Sequence, residues 1–270
     1  MRISFMTANY VARESGYKLN PFNWGVADRA TQDAFHGPQF AEKFNELAQL
    51  VRSVGFTAID LWVAHLNPLR ASDAMVQEAR AILDQHGLEL VAYTAGLGRP
   101  DMTRQDAERV YSVAKSLGAP VLGVGLHPSN MQLAFDLGRD YNIRYAIENH
   151  PEKTPAEILA RMGTYDKYIG VAQDTGFWGQ FGYDAVKATH ELKDHLFHMH
   201  LKQVRQEADG WHSCSYSDGV VDVEGVARTL KEIGYTGAVS VEHEPYAHDP
   251  YDEVKRSGEQ LRQWLGDAAS

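Results

Sequence analysis

The sequence predicts an α/β protein, a single (β/α)8 TIM barrel, on three observations. Apolar strand-like runs alternate with amphipathic helical stretches through eight units, and regular βα alternation means a parallel sheet. Glycines such as Gly55, Gly87, Gly118 and Gly234 stand where a helix should stop before the next strand. Polar residues collect at the C-terminal ends of the later strands, the face on which a barrel gathers its active site. An open doubly wound sheet would carry a glycine-rich phosphate fingerprint after the first strand, and none is present. No linker or change of composition divides the chain, so residues 1–270 read as one domain.

The elements follow in order. Ile3 to Met6 is the first strand, ending in Thr7-Ala8-Asn9-Tyr10. A long polar loop then carries Gly16, Pro21, Gly25 and Gly37 with the aromatics Tyr17, Phe22, Trp24 and Phe35; loops of this length tend to be lids or binding loops. Phe40, Phe44, Leu47, Leu50, Val51 and Val54 recur at helical spacing, and Ala58 to Val63 is the second strand. Ser72 caps a helix through Met75, Ala79, Ile82 and Leu83. Leu88 to Tyr93 is the third strand, and Asp101 or Thr103 opens a helix through Val110, Val113 and Leu117. Gly118 to Val124 is the fourth strand, followed by a short helix over Met131 to Leu137. The fifth strand climbs from Ile143 to Glu148 and stops near His150, because Pro151 cannot continue a ladder. Thr154-Pro155 starts a helix with proline at its first position. Tyr168 to Gln173 is strand six, Asp184 to Leu192 is helical, and His195 to Leu201 is strand seven. Lys202 to Gly219 reads as another long loop. Val223 to Ile233 is helical, Ala238 to Glu242 is strand eight, and Tyr251 to Leu265 is a terminal amphipathic helix.

Composition excludes several classes. A formal net charge of −10 argues against a phosphate-tracking surface, since nucleic-acid affinity rests mainly on Lys and Arg. Cys214 is the only cysteine, so there is no internal disulfide and no thiolate metal cage. The N-terminal apolar stretch is too short for a signal peptide. No apolar run approaches the ~18 residues needed to span a bilayer. A cytoplasmic protein is the expectation.

The strand ends carry the chemistry. His198 and His200 share a face, as do Glu242 and Glu244, and Lys202 follows in the parity of His200. With Glu148 and Asp174 at neighbouring strand ends, three carboxylates and an imidazole point at one small volume. Unpaired, those carboxylates repel one another and raise at least one pKa. One divalent cation relieves this, and oxygen and nitrogen donors suit Mn²⁺, Mg²⁺, Co²⁺ or Zn²⁺. A cation beside paired bases suits removal of a proton next to a carbonyl. His150, two residues beyond Glu148 on the same side, is a further candidate base. Lys202 and Glu244 are candidates for binding substrate hydroxyls, and His65, at the second strand end, for lining the same mouth.

Glu148-Asn149-His150, Asp174-Thr175-Gly176, His198-Met199-His200-Leu201-Lys202 and Ser240-Val241-Glu242-His243-Glu244 resemble motifs of the xylose-isomerase-like sugar isomerase/epimerase barrels. Val223 to Val226 with Leu230 to Gly237 is similar to their seventh helix and last turn, so the resemblance covers essentially the whole chain. It implies a Mn²⁺-type ion held by Glu148, Asp174, His200 and Glu242, with Glu148 and Glu242 as bases on opposite faces of the substrate. Two departures stand out. Phe177, followed by Trp178, replaces a histidine that the ketose 3-epimerases carry three residues after the aspartate ligand. Gln206 replaces an arginine expected six residues after the histidine ligand, with Arg205 one place early. Phe177, Trp178 and the aromatic loop near Trp24 suit an apolar aglycone better than a bare ketose.

Some barrels of this kind resemble the catalytic subunits that cleave 3-oxo-glycosides, including C-glycosides, by elimination. The expected reaction is therefore proton abstraction α to the carbonyl of a keto-sugar or 3-oxo-glycoside, followed by elimination as in a lyase or deglycosidase. The alternative is a sugar isomerase or epimerase acting on a free ketose, and a more distant one is a barrel that binds sugar without turnover. The partner expected is a small sugar or glycoside, not a nucleic acid or a membrane. A homo-oligomer or a small accessory subunit is left open by the sequence.

Overall fold

The structure, a computed structural model, describes residues 1–269. In chain order its strands are β1 (Arg2–Met6), β2 (Ala58–Trp62), β3 (Glu89–Thr94), β4 (Val121–Val124), β5 (Arg144–Glu148), β6 (Ile169–Asp174), β7 (Leu196–Lys202), β8 (Val204–Glu207), β9 (Gly210–Ser213) and β10 (Ala238–Glu242). All but β8 and β9 pair in parallel and close a barrel in the order β1, β2, β3, β4, β5, β6, β7, β10 and back to β1. Outward residues such as Phe5, Ile59, Tyr145, Ile147, Val171, Val239 and Val241 are buried beneath the helices. Burial on both faces is what gives these strands their near-continuous apolar character.

The helices are α1 (Trp24–Phe35), α2 (Phe40–Ser53), α3 (Asp73–Gln85), α4 (Arg104–Leu117), α5 (Met131–Tyr141), α6 (Pro155–Met162), α7 (Thr175–Phe181), α8 (Ala185–Leu192), α9 (Val223–Glu232) and α10 (Tyr251–Leu265). Their starts follow capping chemistry. Ser72 Oγ accepts from Met75 N at 3.2 Å, and Thr103 with Asp106 closes a reciprocal capping box on α4. Gly118 ends α4 at φ +78°, a left-handed position that glycine enters without strain. No helix among the described residues is long and apolar enough to cross a membrane.

Three elements correct the sequence reading. Trp24–Phe35, read as loop, is helix α1, with Asn23 capping it and Ala27, Thr31 and Phe35 buried at four-residue spacing. Thr175–Phe181 is the short helix α7, begun directly at the end of β6 by the Asp174 side chain. The long segment after Lys202 contains an antiparallel hairpin, in which Val204 pairs with Ser213 and Glu207 with Gly210.

The inside of the barrel is unusual. Ala92, Ala146 and Ala172 fill one side with small side chains. Facing them is a polar knot of Ser4, Asp60, His198 and Ser240, all buried. The layer above it, at the C-terminal ends of the strands, is the candidate site.

Candidate metal centre and active site

Inward parity and register assemble the site. His200 of β7 lies beside Asp174 of β6 and Ser240 of β10, and Lys202 lies beside Glu242. His200 Nδ1 is 2.7 Å from Glu148 Oε1 and 3.1 Å from Glu242 Oε2. The ligand atoms of these three residues all fall within 4.8 Å of one another. Glu242 Oε2 is left buried without a hydrogen-bond partner among the described residues. An unpartnered buried carboxylate oxygen is costly. Two carboxylate oxygens and an imidazole nitrogen converging on one point are a donor set for a divalent cation, so the residues fit the ion that the sequence calls for.

Asp174 is offset from that trio. Its Oδ1 accepts from Gly176 N at 2.6 Å and Phe177 N at 3.4 Å, the free amides at the start of α7. Its other oxygen faces Lys202 Nζ at 3.7 Å. Asn149 clamps the same backbone, donating to Asp174 O at 2.9 Å and accepting from Asp174 N at 2.7 Å. This explains the Glu-Asn-His run at the end of β5. Its first residue faces the site, its second anchors the neighbouring strand, and its third reaches the cavity.

Lys202 sits among the acids, with Nζ 2.8 Å from Glu242 Oε1 and in contact with Glu244. Burial pulls its pKa down, but Glu242, Glu244 and Asp174 outweigh burial and hold the ammonium well above its ordinary range. One ammonium cannot keep three buried carboxyls ionised. Burial raises Glu242, yet Lys202 and then His200 bring it below the usual carboxylate value. At Asp174 burial wins and the carboxyl is pushed up to about 7; Glu244 is likewise raised by burial in spite of Lys202. A divalent ion held here would offset this excess of negative charge.

Above this floor opens a cavity of about 590 Å³ with aromatic walls. Phe22 stacks on Tyr246 at 4.7 Å, and Trp24 meets Trp62 edge-on at 5.7 Å. Trp211 of β9 lines the same space. His150 stacks on Phe177 at 4.4 Å, and Lys202 Nζ lies 5.8 Å from the Phe177 ring.

Glu148, Asp174, His200, Glu242, Lys202, Glu244, His150 and Phe177 are thus brought to one mouth. Two expected lining residues are not. After Trp62 the chain turns through Val63–His65 and carries the His65 ring away. It is buried between Phe35 and Trp62, with Nδ1 3.1 Å from Thr7 Oγ1. Trp178 follows Phe177 on a helix, so it points elsewhere, and it is buried against Tyr183. Arg205 is exposed and paired with Glu207 at 2.6 Å, and Gln206 is also exposed. Sequence reasoning missed Trp62, Trp211, Tyr246 and, most of all, Asp60. The signal for Asp60 was present: an acid in the middle of Ala58-Ile59-Asp60-Leu61-Trp62, a strand otherwise wholly apolar. A carboxylate buried there must be paired.

Comparison with known proteins agrees with this fold. Residues 48–266 match the family described as xylose isomerase-like TIM barrel. A 2-oxo-tetronate isomerase of Haemophilus influenzae is 24% identical, the match covering 77% of this chain and 94% of that protein. A xylose isomerase-like TIM barrel protein from Mycobacterium smegmatis, solved in complex with magnesium, superposes with a TM-score of 0.70 at 20% identity, over 84% of this chain and 90% of that one. An L-ribulose 3-epimerase also superposes with a TM-score of 0.70, at 14% identity, over 99% of this chain and 95% of that one.

Proposed function

The chain belongs to the xylose isomerase-like TIM-barrel family, and from that premise we propose that it is a divalent-metal-dependent sugar isomerase or epimerase. The observation that carries the reading is the convergence of Glu148 Oε1, Glu242 Oε2 and His200 Nδ1 beneath an open cavity, with Glu242 Oε2 unpartnered. Asp174 is the fourth ligand we assign, through the oxygen that faces Lys202. Mn²⁺ is the ion we assign first, with Mg²⁺, Co²⁺ and Zn²⁺ satisfied by the same donors. Such an ion, when bound, polarises a substrate carbonyl and stabilises the negative charge that develops on its oxygen.

The residues of the chain do the rest. Glu242, kept ionised by Lys202, takes a proton from the carbon next to the carbonyl. Glu148, more open to the cavity, returns or removes a proton from the other side. Lys202 and Glu244 hold substrate oxygens, and Phe177 with the aromatic walls excludes water. His150 has no polar side-chain partner among the described residues and stands ready as a second base or a hydroxyl ligand. The isomerase and epimerase names among the relatives favour returning the proton to the same substrate over expelling a leaving group. Elimination from a keto-glycoside stays as a second reading on one observation, the aromatic walls, which exceed what a small polyol needs. We assign a small-molecule substrate and a cytoplasmic setting, the latter supported by the single, buried Cys214.

Incubation with ketoses, 2-oxo sugar acids and 3-oxo-glycosides in D₂O with Mn²⁺ tests the proposal. Deuterium entering a ketose or sugar acid without bond loss is the result expected. Release of an aglycone moves elimination to first place, and no exchange or release from any of the three classes overturns the enzyme reading.

A further inference from the structure

Asp60 lies beneath the site, on β2, and has no place in the reaction described above. Its carboxylate is fully buried and held from every side. Thr94 Oγ1 donates to Oδ1 at 2.7 Å. Ser240 Oγ donates to Oδ2 at 2.9 Å, and Ser240 is in turn held by Ser4 Oγ at 2.8 Å. His198 Nε2 lies 2.7 Å and His200 Nε2 3.1 Å from that same Oδ2.

We propose that Asp60 is a positioning residue that sets the tautomer of His200, keeping its ring proton on Nε2 so that the Nδ1 lone pair faces Glu148 and Glu242. The inference rests on the metal-site reading and extends it to a residue outside the ligand set. A neutral imidazole carries one proton on one of two nitrogens, and its hydrogen-bond partner decides which. His200 has a carboxylate on each side, so two acceptors compete. The Asp60 carboxylate cannot turn away, because Thr94 on one oxygen and Ser240 and His198 on the other fix it in a site closed to water. Glu148 has the cavity beside it and is free to engage a cation. The competition therefore ends with the proton on the Asp60 side. His198 holds the same oxygen: its Nδ1 has no partner among the described residues, so its own proton belongs on Nε2, donated to Asp60. Ligands of metal sites are commonly oriented in this way, by a carboxylate on the far nitrogen.

The test compares wild-type protein with Asp60→Asn, which keeps the shape and removes the charge. Mn²⁺ binding to metal-stripped protein, followed by the EPR signal of free Mn²⁺, should weaken by about 10–100-fold in the variant. Long-range ¹H–¹⁵N spectra of histidine-labelled, Mg²⁺-loaded wild type should show His200 protonated at Nε2 and not at Nδ1. A merely structural Asp60 would lower the melting temperature of Asp60→Asn and leave its Mn²⁺ affinity unchanged, and that result overturns the proposal. So does a His200 proton on Nδ1 in the loaded wild type, which decides the matter even if Asp60→Asn does not fold. If wild type binds no Mn²⁺, the metal-site reading fails first and this inference with it; if wild type binds and the variant binds equally, only this inference fails.

Discussion

Glu242 shows how one residue can be read in two ways at once. Its Oε1 is tied to Lys202, as a structural acid would be, while its Oε2 is buried and idle, as a reactive one would be. Glu242→Gln keeps the first contact as a hydrogen bond and removes the basicity of the second. We expect it to lower kcat by about 10²-fold or more while the fold is retained, checked by steady-state kinetics and circular dichroism. His150→Ala should lower kcat less than about tenfold, because the ring has no polar partner among the described residues to orient it toward substrate; a loss matching that of Glu242→Gln would make His150 the base. His65 carries a different prediction. Burial, with Arg13 and His36 adding to it, holds its pKa down to about 3 against an ordinary 6.5. The folded protein thus refuses a proton that the unfolded chain accepts, so stability is full above pH 6.5 and is lost as pH falls toward 3. The loss from this residue is up to about 1.4 kcal/mol per pH unit inside that window. His65→Gln should flatten the fall in urea midpoint between pH 7 and pH 5, and an unchanged slope would remove His65 as its cause.

At the scale of elements, legibility followed burial. Strands buried on both faces announce themselves as apolar runs, so every barrel strand was found to within a residue or two except β4, where the run from Gly118 overshot the observed start at Val121. Helix α1 was hidden because only Ala27, Thr31 and Phe35 of its residues are buried and Gly25 sits in its first turn. Helix α7 was hidden by its two glycines and by Asp174, which is both its cap and a site residue. The hairpin of β8 and β9 buries only Val204, and its contribution, the Trp211 wall, depends on a fold-back that periodicity does not report. The site was legible for a related reason: strand-end parity places Glu148, His200 and Glu242 together whatever the loops do. Gly176 is where element and site meet. A Cβ there would come within 2.9 Å of Lys202 Cδ. Gly176→Ala should push the ammonium off Glu242, lower kcat, and cost about 1–3 kcal/mol of stability through overpacking. A variant with wild-type kcat and melting temperature would mean that Lys202 accommodates the methyl group and that its position is not critical.

For the whole molecule, the consequence is that folding stability and metal occupancy are linked. The barrel closes by bringing β5, β6, β7 and β10 side by side, and that closure forces Glu148, Asp174, Glu242 and Glu244 into one layer against a single lysine and His200. Glu148, Asp174 and the Glu242/Glu244 pair are distant from one another in sequence, so the unfolded chain neither concentrates their charge nor offers a preformed site. A cation that binds the folded state alone therefore stabilises the barrel by RT ln(1 + [M]/Kd), about 2.7 kcal/mol at a hundredfold excess over Kd. At roughly 2–4 °C per kcal/mol for a domain near this size, saturating Mn²⁺ should raise the melting temperature by about 5–10 °C, and EDTA should reverse it. Glu148→Gln is the informative control. In the metal-free protein it removes one of the crowded charges, so its melting temperature should equal or exceed that of metal-free wild type. With Mn²⁺ present the order should invert, because the variant has lost a ligand. A calorimetric scan of both proteins, with and without the ion, reads the two effects separately. Equal Mn²⁺ shifts in wild type and variant would take Glu148 out of the ligand set, and the absence of any shift in wild type would leave Lys202 and His200 as the counter-charges of this layer.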